Sequence, residues 1–103
     1  MNGGVIVLRY FFLGFVRIHI LHHADKEPIF GTGIRDELAH HGYDLSFGTL
    51  YPILHGLEKQ GYLTSYDETV SGKVRKYYRT TPAGTVALRE AKEKIAELVE
   101  EVL

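Results

Sequence analysis

Around Gly61 the spacing of apolar side chains changes from helical to alternating, and this change limits the folds open to the chain. Upstream, Leu50, Ile53, Leu54 and Leu57 recur at three- and four-residue intervals, which gathers them on one face of a helix. Ser46 suits the N-cap of that helix and Gly61 its end. Downstream, Tyr62 to Tyr66 and Arg75 to Thr80 mix β-branched, aromatic and charged residues in the manner of strands, with Val70-Ser71-Gly72-Lys73 as the turn between them. The pattern predicts a helix followed at once by a β-hairpin. Tyr77 and Tyr78 fall on opposite faces of the second strand, one for the core and one to support the hairpin.

Punctuation places the other elements. A first helix is expected from Val5 to Ala24, closed by the polar run Asp25-Lys26-Glu27. Pro28 suits the first turn of a second helix that carries Ile29, Ile34, Leu38 and Ala39 inward and stops at His41-Gly42, where glycine fits the left-handed cap. Thr81 caps a last helix with Pro82 at its first position. Two short helices, a tight turn and a following hairpin make a winged helix-turn-helix.

A chain of 103 residues supports one hydrophobic core. The absence of cysteine removes disulfides, thiolate metal sites and cysteine nucleophiles, and suits a reducing cytoplasm. Net charge is −1, but residues 46–80 carry five basic side chains against three acidic, a local excess of +2. Local excess is what nucleic-acid binding requires. The apolar run 5–21 is interrupted by Arg9 and Arg17, so neither a spanning helix nor, with Met1-Asn2-Gly3-Gly4 before it, a secretory leader is expected. It reads as a helix buried on most sides by protein.

The third helix turns Gly48, Pro52, His55 and Lys59 away from its apolar stripe, with Thr49 and Tyr51 on the flanks. Such a face, small at its start and polar or basic beyond, suits entry into a major groove by the N-terminal end. The candidate DNA contacts on this helix are Ser46, Thr49, Tyr51, Pro52, His55 and Lys59. Pro52 deletes a backbone hydrogen bond unless Thr49 is the true cap, which predicts a loose or kinked start. On the hairpin, Lys73, Arg75, Lys76 and Arg79 are placed to meet phosphate or the minor groove. The plainer alternatives are a solvated amphipathic face for the helix and charged gatekeepers for the strand edge.

The last helix carries Leu88, Ala91, Ile95, Leu98 and Val102 at spacings of three and four, a seam too short to form a coiled coil alone. The first helix offers Tyr10, Phe11, Phe12, Phe15 and Ile18, more apolar area than one small domain covers. A homodimer built from these two helices covers both surfaces, with any effector cavity opening at the seam. It also sets two recognition helices roughly 34 Å apart, one turn of DNA.

Residues 45–63, LSFGTLYPILHGLEKQGYL, together with the G-x-x-R-K-Y-Y-R-x-T-x-x-G stretch at 72–84, resemble the PadR family of bacterial transcriptional regulators, in its short subfamily. The resemblance runs from about Leu13 to Gly84. It implies a winged-helix dimer, usually a repressor, with its recognition helix at Ser46–Lys59, its wing at Lys73–Arg79 and its terminal helices as the dimer interface, where small aromatic or drug-like effectors bind. One departure is Phe30-Gly31-Thr32, where the family often has His-Gly-Tyr. The fold class expected is therefore mostly α with a small β-hairpin: a winged helix-turn-helix DNA-binding domain over residues 1–81, its N-terminal helix shared with the dimer interface, and a C-terminal dimerisation helix over 82–103. The partners expected are a double-stranded DNA operator, a second copy and a small-molecule effector, with no membrane.

Besides His55, five of the six histidines remain to be explained. His19 and His23 stand at i and i+4, a spacing able to chelate zinc, but no carboxylate beyond Asp25 is an obvious companion. Packed or capping histidines near a helix C-terminus are the simpler reading, so neither metal nor cofactor is expected. Gly31-Thr32-Gly33 lacks the preceding strand a phosphate loop needs, and no nucleophile–base pair stands out, so no enzymatic activity is expected. A metal-responsive regulator, and a winged-helix module for protein contacts without DNA, are the alternatives.

Overall fold

The computed structural model of the protein describes the backbone from Gly3 to Leu103 and the side chains from Leu8 onward. Met1 and Asn2, and the side chains of Val5, Ile6 and Val7, on which part of the leader and membrane reading rested, lie outside the described residues. Seven elements follow in order: α1 (Gly3–Lys26), β1 (Ile29–Phe30), α2 (Gly31–His40), α3 (Phe47–Lys59), β2 (Leu63–Val70), β3 (Lys73–Thr80) and α4 (Pro82–Val102). The strands form one antiparallel sheet in the order β1-β3-β2. Among the described residues, no helix is long and apolar enough to cross a membrane.

One core joins the layers. Val16, Ile20, Leu21 and Ala24 of α1 meet Ile34 and Leu38 of α2, the α3 stripe Leu50, Ile53, Leu54 and Leu57, Leu63 and Tyr78 from the sheet, and Leu88 of α4. Tyr78 therefore takes the core face, and Tyr77 stacks on Tyr66 with ring centres 5.6 Å apart on the other, as the alternation predicts. Both inner helix ends close by the same device. Gly42 (φ +88°) and Gly61 (φ +87°) adopt the left-handed conformation, and the residues after them donate back to Leu38 and Leu57 at 2.9 Å.

Three expectations need correction. Pro28 does not open the second helix. Ile29 and Phe30 are extended and pair with Tyr78 and Tyr77 of β3, so the hairpin gains a third strand and α2 begins at Gly31. Pairing on β3 satisfies backbone groups that a helical turn would also satisfy, and it buries Ile29 as well. Ala39 is exposed, because it lies off the face that Ile34 and Leu38 turn inward. The exposure of Tyr10, Phe11, Phe12 and Phe15 on α1, beside Leu8, agrees with the expectation that one chain does not cover this surface. On α4, Leu88 lies in the core of its own chain, while Ile95, Leu98 and Val102 remain exposed.

The start of α4 is locked by short contacts. Thr81 accepts from the Gly84 N–H at 3.0 Å, its own N–H donates to the Tyr62 carbonyl at 3.1 Å, and its hydroxyl donates to the Gly61 carbonyl at 2.5 Å. Asp25 at the end of α1 accepts from Thr85 at 2.7 Å and Thr80 at 2.9 Å. Those two hydrogen bonds, Thr85 first, hold its carboxyl below the ordinary value.

A Cβ at Gly84 would run into the Tyr62 carbonyl oxygen. Gly84→Ala should therefore lose about 1–3 kcal/mol, seen as a fall in Tm of roughly 4–8 °C per kcal/mol; an unchanged Tm would contradict this packing. Because the folded carboxyl of Asp25 is depressed, the stability it adds is present above the unfolded value and disappears as pH falls through the folded one. Asp25→Asn should be less stable than the parent at pH 7, with the gap closing from about pH 4 downward; denaturant titrations at several pH values check this.

Candidate nucleic-acid interface

Local chemistry fixes how α3 is presented. After Gly42 the chain crosses a short turn that Arg35 fastens: its Nε donates to the Leu45 carbonyl at 2.9 Å, and its guanidinium lies 4.6 Å from the centre of the Phe47 ring. Ser46 then caps α3, its Oγ accepting from the Thr49 N–H at 3.3 Å while the two hydroxyls bond each other. Thr49 is thus not the cap, and Pro52 falls within the helix, which runs unbroken through it. The carbonyl of Gly48, which Pro52 cannot serve, belongs to an exposed residue open to solvent.

The outward face carries more order than a solvated surface needs. Phe47, Tyr51 and His55, one turn apart, form a ladder of near-parallel rings with centres 5.4 and 6.2 Å apart. Tyr51 leans towards the start of α2. A Cβ on Gly31 would come within 2.6 Å of its hydroxyl, so glycine there makes room for the ring.

Opposite α3, β2 and β3 extend as a wing. Its tip is the two-residue turn Ser71-Gly72, both with positive φ (52° and 78°), which matches the twist of the strands. Arg75 lies 4.2 Å over the Phe30 ring. Across the hairpin Lys76 stands opposite Asp67 and Arg75 opposite Glu68, yet among the described residues no ion pair within 4 Å engages Lys73, Arg75 or Lys76. Glu58, at the end of α3, accepts from Ser65 at 2.6 Å.

Between α3 and the wing lies a cleft of about 760 Å³. Tyr51 and His55 form one wall, and Lys73, Arg75 and Lys76 the other. Phe30, Gly31 and Thr32 close its end. No carboxylate is among the described residues lining it, and the strand bordering it carries three cations, Lys76 on the face of Tyr78 and Lys73 and Arg75 on that of Tyr77. That arrangement favours a polyanion with flat or hydroxyl-bearing groups beside its charges. Tyr78 also borders the cleft, and burial first, then the Glu58 carboxylate, raises its phenol above the ordinary value.

Five sequence-derived residues thus converge: Tyr51, His55, Lys73, Arg75 and Lys76. Ser46, Thr49, Pro52 and Lys59 lie along α3 outside the cleft, with Lys59 exposed in the last turn. Arg79 is not brought in. It lines a separate depression at the other end of β3 with Asp25 and Glu27. The sequence reading missed Thr32 and Phe30 as cleft residues because it placed both inside a helix starting at Pro28. The signal available was the small residue Gly31, which permits the close approach of Tyr51.

Comparison with known proteins agrees with this geometry. Residues 20–90 match the transcriptional regulator PadR-like family. The transcriptional regulator Rv3488 of Mycobacterium tuberculosis is 48% identical over 96 residues, covering 93% of this chain and 90% of that protein. The crystal structure of a PadR family regulator from Eggerthella lenta superposes with a TM-score of 0.81 at 35% identity, covering 96% of this chain and 87% of the other. A PadR-like transcription factor from Bacteroides fragilis gives 0.80 at 31% identity, over 93% and 94% of the two chains. The winged helix described here is thus that of a known group, and the chain belongs to the PadR-like family of transcriptional regulators.

Proposed function

We propose that this protein is a repressor that binds its operator as a symmetric dimer, with α3 in the major groove and the wing along the phosphate backbone, and that a small aromatic or drug-like effector releases it. The observation carrying this reading is the cleft lined by Tyr51, His55, Lys73, Arg75 and Lys76 and, among the described residues, by no carboxylate. The cations would supply affinity and orientation, and the exposed positions of α3 would supply base discrimination. Ser46, Thr49 and Pro52 would approach the groove by the N-terminal end of α3, with Lys59 and Arg79 reaching phosphates further out. A chromosomal target sets this work in the cytoplasm.

Exposed apolar surface supports the dimer. Phe11 is 55% exposed on α1, and Leu98 and Val102 are 57% and 62% exposed on α4. Residues 1–81 would then act as the DNA-binding unit and 82–103 as the dimerisation helix, with Ala91 and Ile95 at the centre of the seam. A groove of about 380 Å³ between α1 and α4, lined in part by Phe15, Ile18, Leu88 and Ile95, has the size and apolar character of an effector site.

Operator recovered from a random DNA pool should bind with an affinity that falls steeply with salt. Lys59→Ala and Lys76→Ala should each lower the slope of log affinity against log salt by about 0.9 while leaving Tm unchanged. Parental binding by both variants across the salt series would overturn the assignment. Binding without sequence preference, beside a stable protein partner, would favour a protein-contact module instead. In sedimentation equilibrium at micromolar concentration the protein should have twice the mass of its 11.7 kDa chain, and Leu98→Glu should shift it towards monomer; a monomeric parent would refute the dimer.

A further inference from the structure

The fold gathers a group of side chains at the far side of α2 from the DNA cleft. His19 and His23 lie one turn apart on α1. His41, the C-cap of α2, meets them from across the helix pair, its ring 4.6 Å from that of His19. One ligand nitrogen from each of the three histidines lies within 4.8 Å of the others. Glu37, one turn before His41, places a single carboxylate oxygen 3.5 Å from His23 Nε2 and 3.4 Å from His41 Nε2.

From this geometry we propose that His19, His23, His41 and Glu37 form a binding site for one divalent transition-metal ion, with zinc the best fit, that staples α1 to the C-terminal end of α2.

Three nitrogens and one carboxylate oxygen are a tetrahedral zinc donor set. Bonds of 2.0–2.1 Å put tetrahedral donors roughly 3.3 Å apart. The two oxygen–nitrogen separations are already close to that, and modest ring rotation brings in His19. Charge favours a cation as well. The cluster sits in the last two turns of α1 and at the end of α2, so the negative ends of two helix dipoles point towards it. Burial first, and then the neighbouring imidazoles of His41, His23 and His22, hold His19 below its ordinary value, with Glu37 opposing. His19, His23 and Glu37 are partly buried while His41 is exposed, which leaves an entry path.

The site also has a route to the DNA surface. His41 is followed by Gly42 and the turn that sets Ser46, the cap of α3, while α1 carries the exposed apolar face proposed for dimerisation. Fixing α2 to α1 therefore constrains the recognition helix relative to the dimer. This consequence rests on the regulator reading above; the metal site itself does not.

Untagged protein titrated with zinc against a chromophoric chelator should take up one ion per chain, and cobalt(II) should give the intense visible bands of a tetrahedral centre. His41→Ala and His19→Ala should each weaken zinc binding by more than the roughly 10- to 100-fold typical of losing an outer partner. His40→Ala, on the exposed part of α2 outside the cluster, should leave it unchanged. Because His41 is exposed, loss of folding can be excluded by the Tm of the metal-free variants. No uptake by the parent, or full uptake by a folded His41→Ala protein, would overturn the site. Operator titrations with and without zinc test the coupling: an affinity change of roughly 5-fold or more in the parent and none in His41→Ala supports it. Equal affinities would remove the coupling and leave the site, and failure to bind any operator would count against the regulator reading alone.

Discussion

The burial of one apolar stripe on α3 governs the rest of the structure. Leu50, Ile53, Leu54 and Leu57 are enclosed by α1, α2 and the sheet, and each such residue removed from water contributes roughly 1.5–3 kcal/mol. A helix has only two broad faces. Committing this one to the core forces Pro52, His55 and Lys59 outward and aims Tyr51 at the start of α2. Tyr78 seals the same core from β3, so the strand that carries Arg75 and Lys76 is held in register with α3. The cleft is thus a consequence of core packing, and its cations are free to meet a ligand because neighbouring carboxylates are engaged elsewhere or stand outside it.

Short devices at chain reversals give this arrangement its precision. Left-handed glycines end α2 and α3, Ser46 and Thr81 begin α3 and α4, and Asp25 ties the end of α1 to the start of α4. Each satisfies backbone or hydroxyl groups that would otherwise be stranded at a helix end. The terminal helices are treated differently. Their inner halves belong to the core, and their outer halves leave apolar side chains such as Phe11, Phe12, Leu98 and Val102 uncovered within the chain.

Much of this was legible from residue order. The helical stripe, the wing, the caps at Ser46 and Thr81, the stop at Gly42 and the split between Tyr77 and Tyr78 all follow from local periodicity and turn chemistry. The errors share one cause. Pro28 is compatible with a first helical turn, and only the availability of β3 as a partner makes Ile29 and Phe30 a strand. Arg79 is a different case: it belongs to the basic run of β3, and the structure sets it outside the cleft, beside Asp25 and Glu27. His19 and His23 showed a ligand spacing, and only the folded chain brings His41 and Glu37 beside them from another element.

By itself, then, the order of residues determined which segments are helix or strand, which face of α3 is apolar, and that a basic hairpin follows it, because these depend on neighbours within about four positions. Tertiary structure alone decided which side chains share a cleft, that a third strand joins the sheet, and that three histidines from α1 and the end of α2 converge with Glu37 beside two of them. Those outcomes depend on distances between residues far apart in the chain, and such distances exist only once the core has closed.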